Sequence, residues 1–473
     1  MDIARSSLKL FVSRLATTVI GFLGITFFAR ELTSGIIGVF FLFEALLGIL
    51  AIPADFGLRG SVEKRMSEGD TPGAYLAAAI LLKLGPLTLI VLGISVFSAT
   101  INSYLGAEVA HLLAAAIVLQ EVGMLSMEVL KGELRVGETA IIGFIRQGTW
   151  FTVAWVLVNN GFGAVGLIYG LLSGLVVMLL IGWYKLTVPL RWPSREQITS
   201  LVDYGKYNVI SSIGGYFYNW MDVVIIGVFL TQSDVGAYEL AWRVTSISIL
   251  FSGAISTTIF PQVSKWDAIG SKERIEDLIP SVLTPSLVLV IPAFFGTLLF
   301  SQEILGLIFG AEYVKAWLVL ILLMGDKVFQ AVQAIIGRSL QAIDKPDLAA
   351  RATVVSLVLN AVLNVMLIIE FGIIGAALAT VISSLVNDGL HFFYLRKFIR
   401  IRLPTREIIE CFGASLGMAG VLYILTQLYH VDSLLKLISV IILGVILYTF
   451  FVLLSPTLGT KMQETVKEIR QAT

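Results

Sequence analysis

Residues 162–185 read FGAVGLIYGLLSGLVVMLLIGWYK. From Gly163 to Tyr184 no side chain is charged, and Lys185 closes the run. An apolar stretch of about 20 residues is long enough to cross the hydrocarbon core of a bilayer. Only a helix lets an isolated segment satisfy its own backbone groups in lipid. Gly166, Gly170 and Gly174 recur at every fourth position, the spacing at which a second helix can approach closely in a membrane. This segment therefore reads as a transmembrane helix packed on a neighbour.

The rest of the chain repeats that reading. Apolar residues make up 57% of the 473 residues and charged residues only 14%, against about 25% charged in a soluble domain. Mean hydropathy is +0.90. Spans are expected near 8–30, 35–57, 74–99, 105–128, 139–159, 163–185, 203–229, 235–262, 279–300, 314–338, 349–369, 373–395, 408–428 and 434–455, fourteen in all. The expected fold class is all-α, a polytopic membrane protein. Arg5 and Lys9 precede an apolar run from Leu10 to Phe28, but Ala29-Arg30-Glu31 follows in place of a small-residue cleavage site. The run reads as a retained first helix rather than a signal peptide.

Basic residues set the expected orientation. The N-terminal tail, the loops after even-numbered spans and the C-terminal tail hold 24 lysines and arginines, whereas the alternate loops hold only Arg30 and Lys315. The positive-inside rule then places both termini in the cytoplasm. The outward loops are short, as at Asn159 to Phe162, Thr231 to Asp234 and Glu370 to Gly372. Chemistry on the outer face would have to occur inside the bundle.

The chain also carries an internal duplication. Leu32-Thr33, with Gly38 and Leu42, matches Leu230-Thr231, with Gly236 and Leu240, 198 positions later. Phe162-Gly163-x-x-Gly166 matches Phe371-Gly372-x-x-Gly375 209 positions later, and Gly170 and Gly174 fall in register with Ala379 and Ser383. Spans one to six and seven to twelve thus read as two copies of one six-helix unit, entering the membrane in the same direction. The expected division is a lobe at 1–190, a second at 200–398, two further helices at 408–455 and a cytoplasmic tail at 456–473. Parallel repeats of this kind place a substrate site between the halves.

Charges inside spans mark candidate sites. An ionisable group at mid-bilayer costs roughly 2.5–3.5 kcal/mol on insertion scales. Arg14, Lys83, Arg146, Lys206, Arg243, Lys327 and Lys436 fall outside the loops, with Glu44, Glu121, Glu128, Asp222, Glu239, Asp326 and Asp388 among the acids. Glu239 and Arg243 lie four apart on one helix face and can pair, either as a packing salt bridge or as part of a site. Glu44, one position from the repeat equivalent of Arg243, is expected to face a common cavity from the other half. Asp326 and Lys327 are adjacent, so they point about 100° apart and do not simply neutralise each other. Arg14 and Lys206 are placed either to snorkel to headgroups or to face the cavity. Gly85-Pro86, Gly214-Gly215, Pro285 and Pro292 are candidate hinges or static kinks.

Several classes are disfavoured. Formal net charge is zero, which gives no electrostatic reason for nucleic acid binding. Cys411 is the only cysteine and reads as a small buried residue; His111, His391 and His430 form no ligand-spaced set. The chain has no phosphate loop ahead of Lys-Ser or Lys-Thr, no His-Glu-x-x-His and no nucleophile elbow. No cofactor or metal is implied.

The run Leu340-Gln341-Ala342-Ile343-Asp344-Lys345-Pro346, then Asn360-x-x-x-Asn364, then Phe371-Gly372-Ile373-Ile374-Gly375-Ala376-Ala377-Leu378-Ala379-Thr380 resembles the polysaccharide-exporter, or Wzx-type flippase, family. Ala29-Arg30-Glu31-Leu32-Thr33 with Gly38, and Val235-Gly236-Ala237-Tyr238, resemble its first hairpin and eighth-helix start. Ala54-Asp55-Phe56-Gly57-Leu58 resembles archaeal members, whose lipid carrier is a dolichol. The resemblance implies a two-lobed fold of the multidrug and oligosaccharidyl-lipid exporter superfamily. It implies a polyprenyl-linked oligosaccharide substrate, membrane lipids as surroundings, and Na+ or H+ coupling. An anionic phosphate head is matched by a cavity lined with arginine. Related lipid II flippases carry arginines on helices one, two and eight; Arg14 and Arg243 stand on spans one and eight here, Arg59 stands at the edge of the loop after span two, and Lys327 is a fourth cation candidate. Glu44, Asp222, Glu239 and Asp326 are the ion-coupling or pairing candidates. Two other readings stay open: a drug/cation antiporter on the same fold, and an integral membrane glycosyltransferase or polymerase. The antiporter would need a net acidic cavity, and the enzyme a long outward loop.

Overall fold

A computed structural model describes residues 3–461, apart from the side chains of residues 3–15 and 207–218. The described residues are helical, joined by short connections. They form two compact units, Met1–Gly236 and Ala237–Thr473. Unit 1 contains α1 (Ile3–Glu31), α2 (Ser34–Asp55), α3 (Leu58–Glu68), α4 (Pro72–Val96), α5 (Ser98–Leu105), α6 (Ala110–Gly132), α7 (Val136–Asn159), α8 (Gly163–Tyr184) and α9 (Arg195–Phe229). Helix α10 (Gln232–Ser248) begins at the end of unit 1. Unit 2 continues with α11 (Leu250–Ala268), α12 (Lys272–Val288), α13 (Val290–Ile308), a 3-10 turn at Ala311–Ala316, α14 (Trp317–Ala342), α15 (Pro346–Phe371), α16 (Ile373–Leu395), α17 (Thr405–Leu428) and α18 (Leu434–Leu454). Among the described residues, 11 spans are long and apolar enough to cross a membrane, or 12 when α10 and α11, bent by 50°, count as one. The protein is a multi-pass helical membrane protein.

The expected second span differs most from its sequence reading. Residues 58–68 are too polar to read as membrane-spanning, and Arg59, Lys64 and Arg65 were assigned to a loop. They lie instead on α3, which resumes the helix after a break. The break falls at Phe56 and Gly57, both left-handed at φ 49° and 73°. Glycine takes that conformation freely and phenylalanine does not. Irregular backbone inside a membrane is tolerated where protein buries it or a cavity adjoins it. Helix α9 covers the break, and a Cβ on its Gly205 would lie 3.2 Å from the Phe56 carbonyl oxygen.

Other breaks agree with expectation only in part. Pro86 does not interrupt the third span, because α4 runs through it. The eighth span bends between Ser248 and Leu250, and the ninth breaks at Leu289, between Pro285 and Pro292. Helix α9 is continuous through Gly214-Gly215.

The fourfold small-residue spacing performs the expected packing. A Cβ on Gly170 would lie 2.7 Å from the Ala154 Cβ, and one on Gly174 would lie 2.8 Å from the Arg146 carbonyl oxygen. Those glycines draw α8 onto α7. In the matching hairpin, a Cβ on Gly375 would lie 2.0 Å from the Leu367 carbonyl oxygen. Asn360 Nδ2 donates to Ser383 Oγ at 3.0 Å, and Asn364 Nδ2 donates to Asn360 Oδ1 at 3.0 Å. The Asn-x-x-x-Asn motif therefore fastens α15 to α16, polar glue within an apolar pair. Cys411 is buried, as expected, in the core that joins α13, α17 and α18.

A strap after α8 crosses the start of α4. Arg191 N donates to the Gly73 carbonyl at 3.2 Å, and a Cβ on Gly73 would lie 1.9 Å from the Pro189 carbonyl oxygen. Gly73→Ala should therefore lower the melting temperature in detergent, by an overpacking term of about 1–3 kcal/mol. An unchanged melting temperature would show that the strap yields freely.

Candidate functional site

The break in α2/α3 sets four ionisable side chains against one another. Asp55 ends α2 and Arg59 sits in the first turn of α3. Lys83 and Glu121 lie near the midpoints of α4 and α6. Lys83 Nζ donates to Asp55 Oδ1 at 2.8 Å and to Glu121 Oε2 at 2.6 Å. Arg59 Nη2 donates to Glu121 Oε1 at 2.5 Å, and its Nε lies 3.6 Å from Asp55 Oδ1. Two acids and two bases thus close a neutral ring halfway along two membrane spans. Lys83 is 3% exposed and Glu121 0%. Removing one partner from such a set would leave an uncompensated buried charge, at a cost of about 3–5 kcal/mol.

Beside the ring lies a cavity of about 350 Å³, lined by Glu44, Leu47, Gly48, Arg59, Gln120, Met124, Arg146, Leu171 and Trp220. That volume falls in the range of small-ligand pockets, roughly 300–1,000 Å³. Gly48 makes room for Trp220, whose Nε1 would stand 3.0 Å from a Cβ there. Arg59 reaches the cavity with 19% of its side chain exposed. Arg146 comes from α7, at the level where Gly174 lets α8 approach. It has no side chain within hydrogen-bonding or ion-pair distance among the described residues, and Glu44 is the acid whose charge acts on it. Among the described residues the walls therefore carry two guanidiniums and one carboxylate, with Asp55 and Glu121 held behind Arg59 by Lys83. Such a lining suits an anion that accepts forked hydrogen bonds.

Unit 2 holds a second group of charges. Arg243 Nε donates to Glu239 Oε1 at 2.9 Å, the pairing expected from their spacing. Asp326 and Lys327 were expected to stay apart, but Lys327 Nζ lies 4.0 Å from Asp326 Oδ2. Gln330 brings them together, accepting from Lys327 at 3.1 Å and donating to Asp326 at 2.5 Å. The Lys327 ammonium also stands 5.7 Å from the centre of the Trp242 ring. Asp388, from α16, has both carboxylate oxygens buried without a hydrogen bond among the described residues. A separate apolar cavity of about 480 Å³ is lined by residues of α10, α12, α13, α14, α17 and α18, among them Leu289, Phe300, Met418, Leu422 and Val445.

The structure thus brings two of the expected residues, Arg59 and Glu44, to one cavity. Glu239 with Arg243, and Asp326 with Lys327, form two clusters in unit 2. Asp222 lies half-buried on α9 and is not among the residues that line the unit 1 cavity. Arg14 lies outside the described side chains. Arg146, Lys83, Glu121 and Asp55 were not among the expected site residues. The first three were visible as charges inside spans, but nothing local to each in the sequence marked which would meet.

A helical membrane protein with a cationic pocket beside a broken helix is, by class, suited to handling an anion within the bilayer. Comparison with known proteins narrows this. Residues 25–318 match the family described as polysaccharide biosynthesis protein. The chain is 56% identical over 454 residues to the probable low-salt glycan biosynthesis flippase Agl15 of Haloferax volcanii, covering 96% of each chain. The chain belongs to this polysaccharide biosynthesis protein family. Its fold is shared with the lipid II flippase MurJ in an inward closed conformation, at TM-score 0.80 and 16% identity over 94% of this chain and 98% of that one. It is also shared with an inward-facing multidrug resistance MATE transporter, at TM-score 0.64 and 17% identity over 80% and 94%.

Proposed function

We propose that the protein is a flippase, not an enzyme, that moves a polyprenyl- or dolichol-phosphate-linked oligosaccharide from the cytoplasmic to the outer leaflet. The observation that carries this reading is the Arg146 guanidinium, which lines the unit 1 cavity with no ion-pair partner among the described residues. A half-buried cation within a membrane span, with no ion-pair partner among the described residues, is costly to keep for packing alone. Arg59 lines the same cavity and adds a second positive charge beside it. The excess of bases over acids on the walls favours an anionic head over a cationic drug. The naming of the Haloferax relative as a glycan biosynthesis flippase supports the same reading.

The finer parts of the proposal follow from it. Helices α1 and α9 complete fourteen spans with the 12 already counted. The basic residues of alternate connections orient both termini to the cytoplasm. Lobes at 1–190 and 200–398 alternate access to the substrate, with helices at 408–455 and a tail at 456–473 outside the repeat. The apolar cavity bordered by α17 and α18 receives the lipid tail. Na+ or H+ coupling belongs to Asp326 or to Asp388, whose two carboxylate oxygens are buried without a hydrogen bond among the described residues. Glu44, Asp222 and Glu239 are the remaining coupling candidates.

Purified protein in proteoliposomes should accelerate transbilayer movement of a fluorescent or enzymatically trapped lipid-linked sugar. Rates equal to those of empty liposomes across a panel of such substrates would overturn the proposal. New glycosidic bonds formed by the purified protein would point to an enzyme instead.

A further inference from the structure

We infer that Lys345, Arg396 and Lys397, at the end of unit 2 where α14 turns into α15 and α16 stops, bind the headgroup phosphate of an anionic membrane lipid. This site is independent of the flippase reading. It emerges from two copies of one turn. Leu134 and Asp344 each stand in the left-handed region, at φ 60° and 63°. Arg135 N donates to the Leu130 carbonyl at 2.9 Å, and Lys345 N donates to the Leu340 carbonyl at 3.2 Å. Arg135 and Lys345 thus hold the same place ahead of α7 and α15, as Lys185 and Arg396 do after α8 and α16. Both copies have the two bases, but only the first has acids to match. There Arg135 donates to Glu133 at 2.9 Å and to Glu138 at 2.7 Å, and Lys185 donates to Glu138 at 2.7 Å. The places of Glu133 and Glu138 are taken by Ile343 and Leu348 in the second copy.

Among the described residues, aromatic faces stand where those acids would be. Lys345 Nζ lies 5.5 Å from the centre of the Phe398 ring, Lys397 Nζ 4.4 Å from that of Phe393, and Arg396 Cζ 5.3 Å from the same ring. A ring face attracts a cation without neutralising it. The nearby acids are directed elsewhere. Asp347 lies 3.9 Å from Arg351, Asp277 lies 3.8 Å from Arg402, and Glu276 accepts from the Arg400 backbone at 2.9 Å. Asp344 is exposed and forms no ion pair with the three bases. Like charges gathered at one turn repel one another, so an anion from outside stabilises them. The membrane supplies it. Helix α16 is an apolar span that ends at Leu395, and Phe393 is 42% exposed beside Arg396 and Lys397. Aromatic rings and bases at the end of a span mark the headgroup level, where basic clusters recognise anionic lipids. A lipid also covers the Phe393 ring, which a soluble anion does not.

The test uses purified full-length protein in neutral detergent, with dioleoyl-phosphatidylglycerol as the probe and dioleoyl-phosphatidylcholine as its uncharged counterpart. Retained lipid is read by native mass spectrometry and folding by melting temperature. Phosphatidylglycerol should be retained in preference to phosphatidylcholine. Each base near a lipid surface is worth about fivefold in affinity, so K345A/R396A/K397A should weaken retention about 100-fold. Neutralising three exposed bases elsewhere, in K265A/K272A/R274A, should change it by less than about threefold. Leu348→Glu restores the acid of the first copy with every base in place, and should weaken retention about tenfold. Should that variant fail to fold, the triple variants decide the matter. Wild-type retention by folded K345A/R396A/K397A, or an equal loss in the K265A/K272A/R274A control, would overturn the inference. Displacement of the lipid by an equal concentration of soluble glycerol phosphate would overturn it too, by making the site one for free anions.

Discussion

Arg146→Ala should all but abolish flipping while leaving the protein as stable as the wild type or more so. These two effects separate because Arg146 has no ion-pair partner among the described residues. Truncating it breaks no ion pair among the described residues, leaving only the longer-range attraction of Glu44 to be lost, and it removes a guanidinium whose partial burial opposes folding. A charge-assisted, forked contact to phosphate is worth about 2–4 kcal/mol, so substrate affinity should fall by about 30- to 1,000-fold. Arg146→Lys should recover only part, because an ammonium lacks the planar fork. The measurements are initial flipping rate in proteoliposomes and melting temperature in detergent. Wild-type flipping by a folded Arg146→Ala protein would remove this residue from the site. Arg59→Ala would be a poorer probe, since it also strips Glu121 of a partner and confounds binding with folding.

The second large effect is structural. Gly38→Ala should leave little folded protein in the membrane. A Cβ at Gly38 would lie 1.7 Å from the Gln232 carbonyl oxygen, and one at Gly236 would lie 2.3 Å from the Ser34 carbonyl oxygen. Both obstacles are backbone, so no side-chain rotation relieves them. Between them Ser34 Oγ and Ser233 Oγ share a hydrogen bond at 2.6 Å. Overpacking costs about 1–3 kcal/mol where a core can shift, and backbone against backbone can shift least. Against a typical stability of 5–15 kcal/mol, a cost above that range is enough to deplete the native state. Fluorescence-detected size-exclusion chromatography of tagged Gly38→Ala and Gly236→Ala should show loss of the monodisperse peak. Normal peaks for both would mean that the two segments do not cross this closely in the membrane.

These glycines show how much of the fold could be read early. Gly38 and Gly236 were visible as matching positions of a repeat, and the helices that carry them were visible as apolar runs. That they meet backbone to backbone was not. The Asn360 and Asn364 pair had a similar history: the spacing was plain, whereas its partner Ser383 lies on the next helix. The site was less legible. Arg59 was assigned to a loop because Leu58–Glu68 is polar, and polarity is the usual mark of a segment outside the membrane. The Phe56–Gly57 break overrides that mark by turning the first residues of α3 toward Lys83 and Glu121. Arg146 and Lys83 were counted among the membrane-embedded charges, but neither was singled out.

The sequence by itself determined that the chain crosses a membrane as helices, where most of those helices lie, and that one half echoes the other. These properties depend on hydropathy and spacing along the chain, and transfer into lipid is nearly a sum over each segment. Only the tertiary structure decided which charges stand together. Arg59 meets Glu121 across 62 positions, and Lys83 meets it across 38. Such pairings arise from packing, because a buried charge is stabilised by whichever opposite charge the fold brings within reach. The same packing left Arg146 facing a cavity without an ion-pair partner among the described residues, the feature on which the proposed function rests.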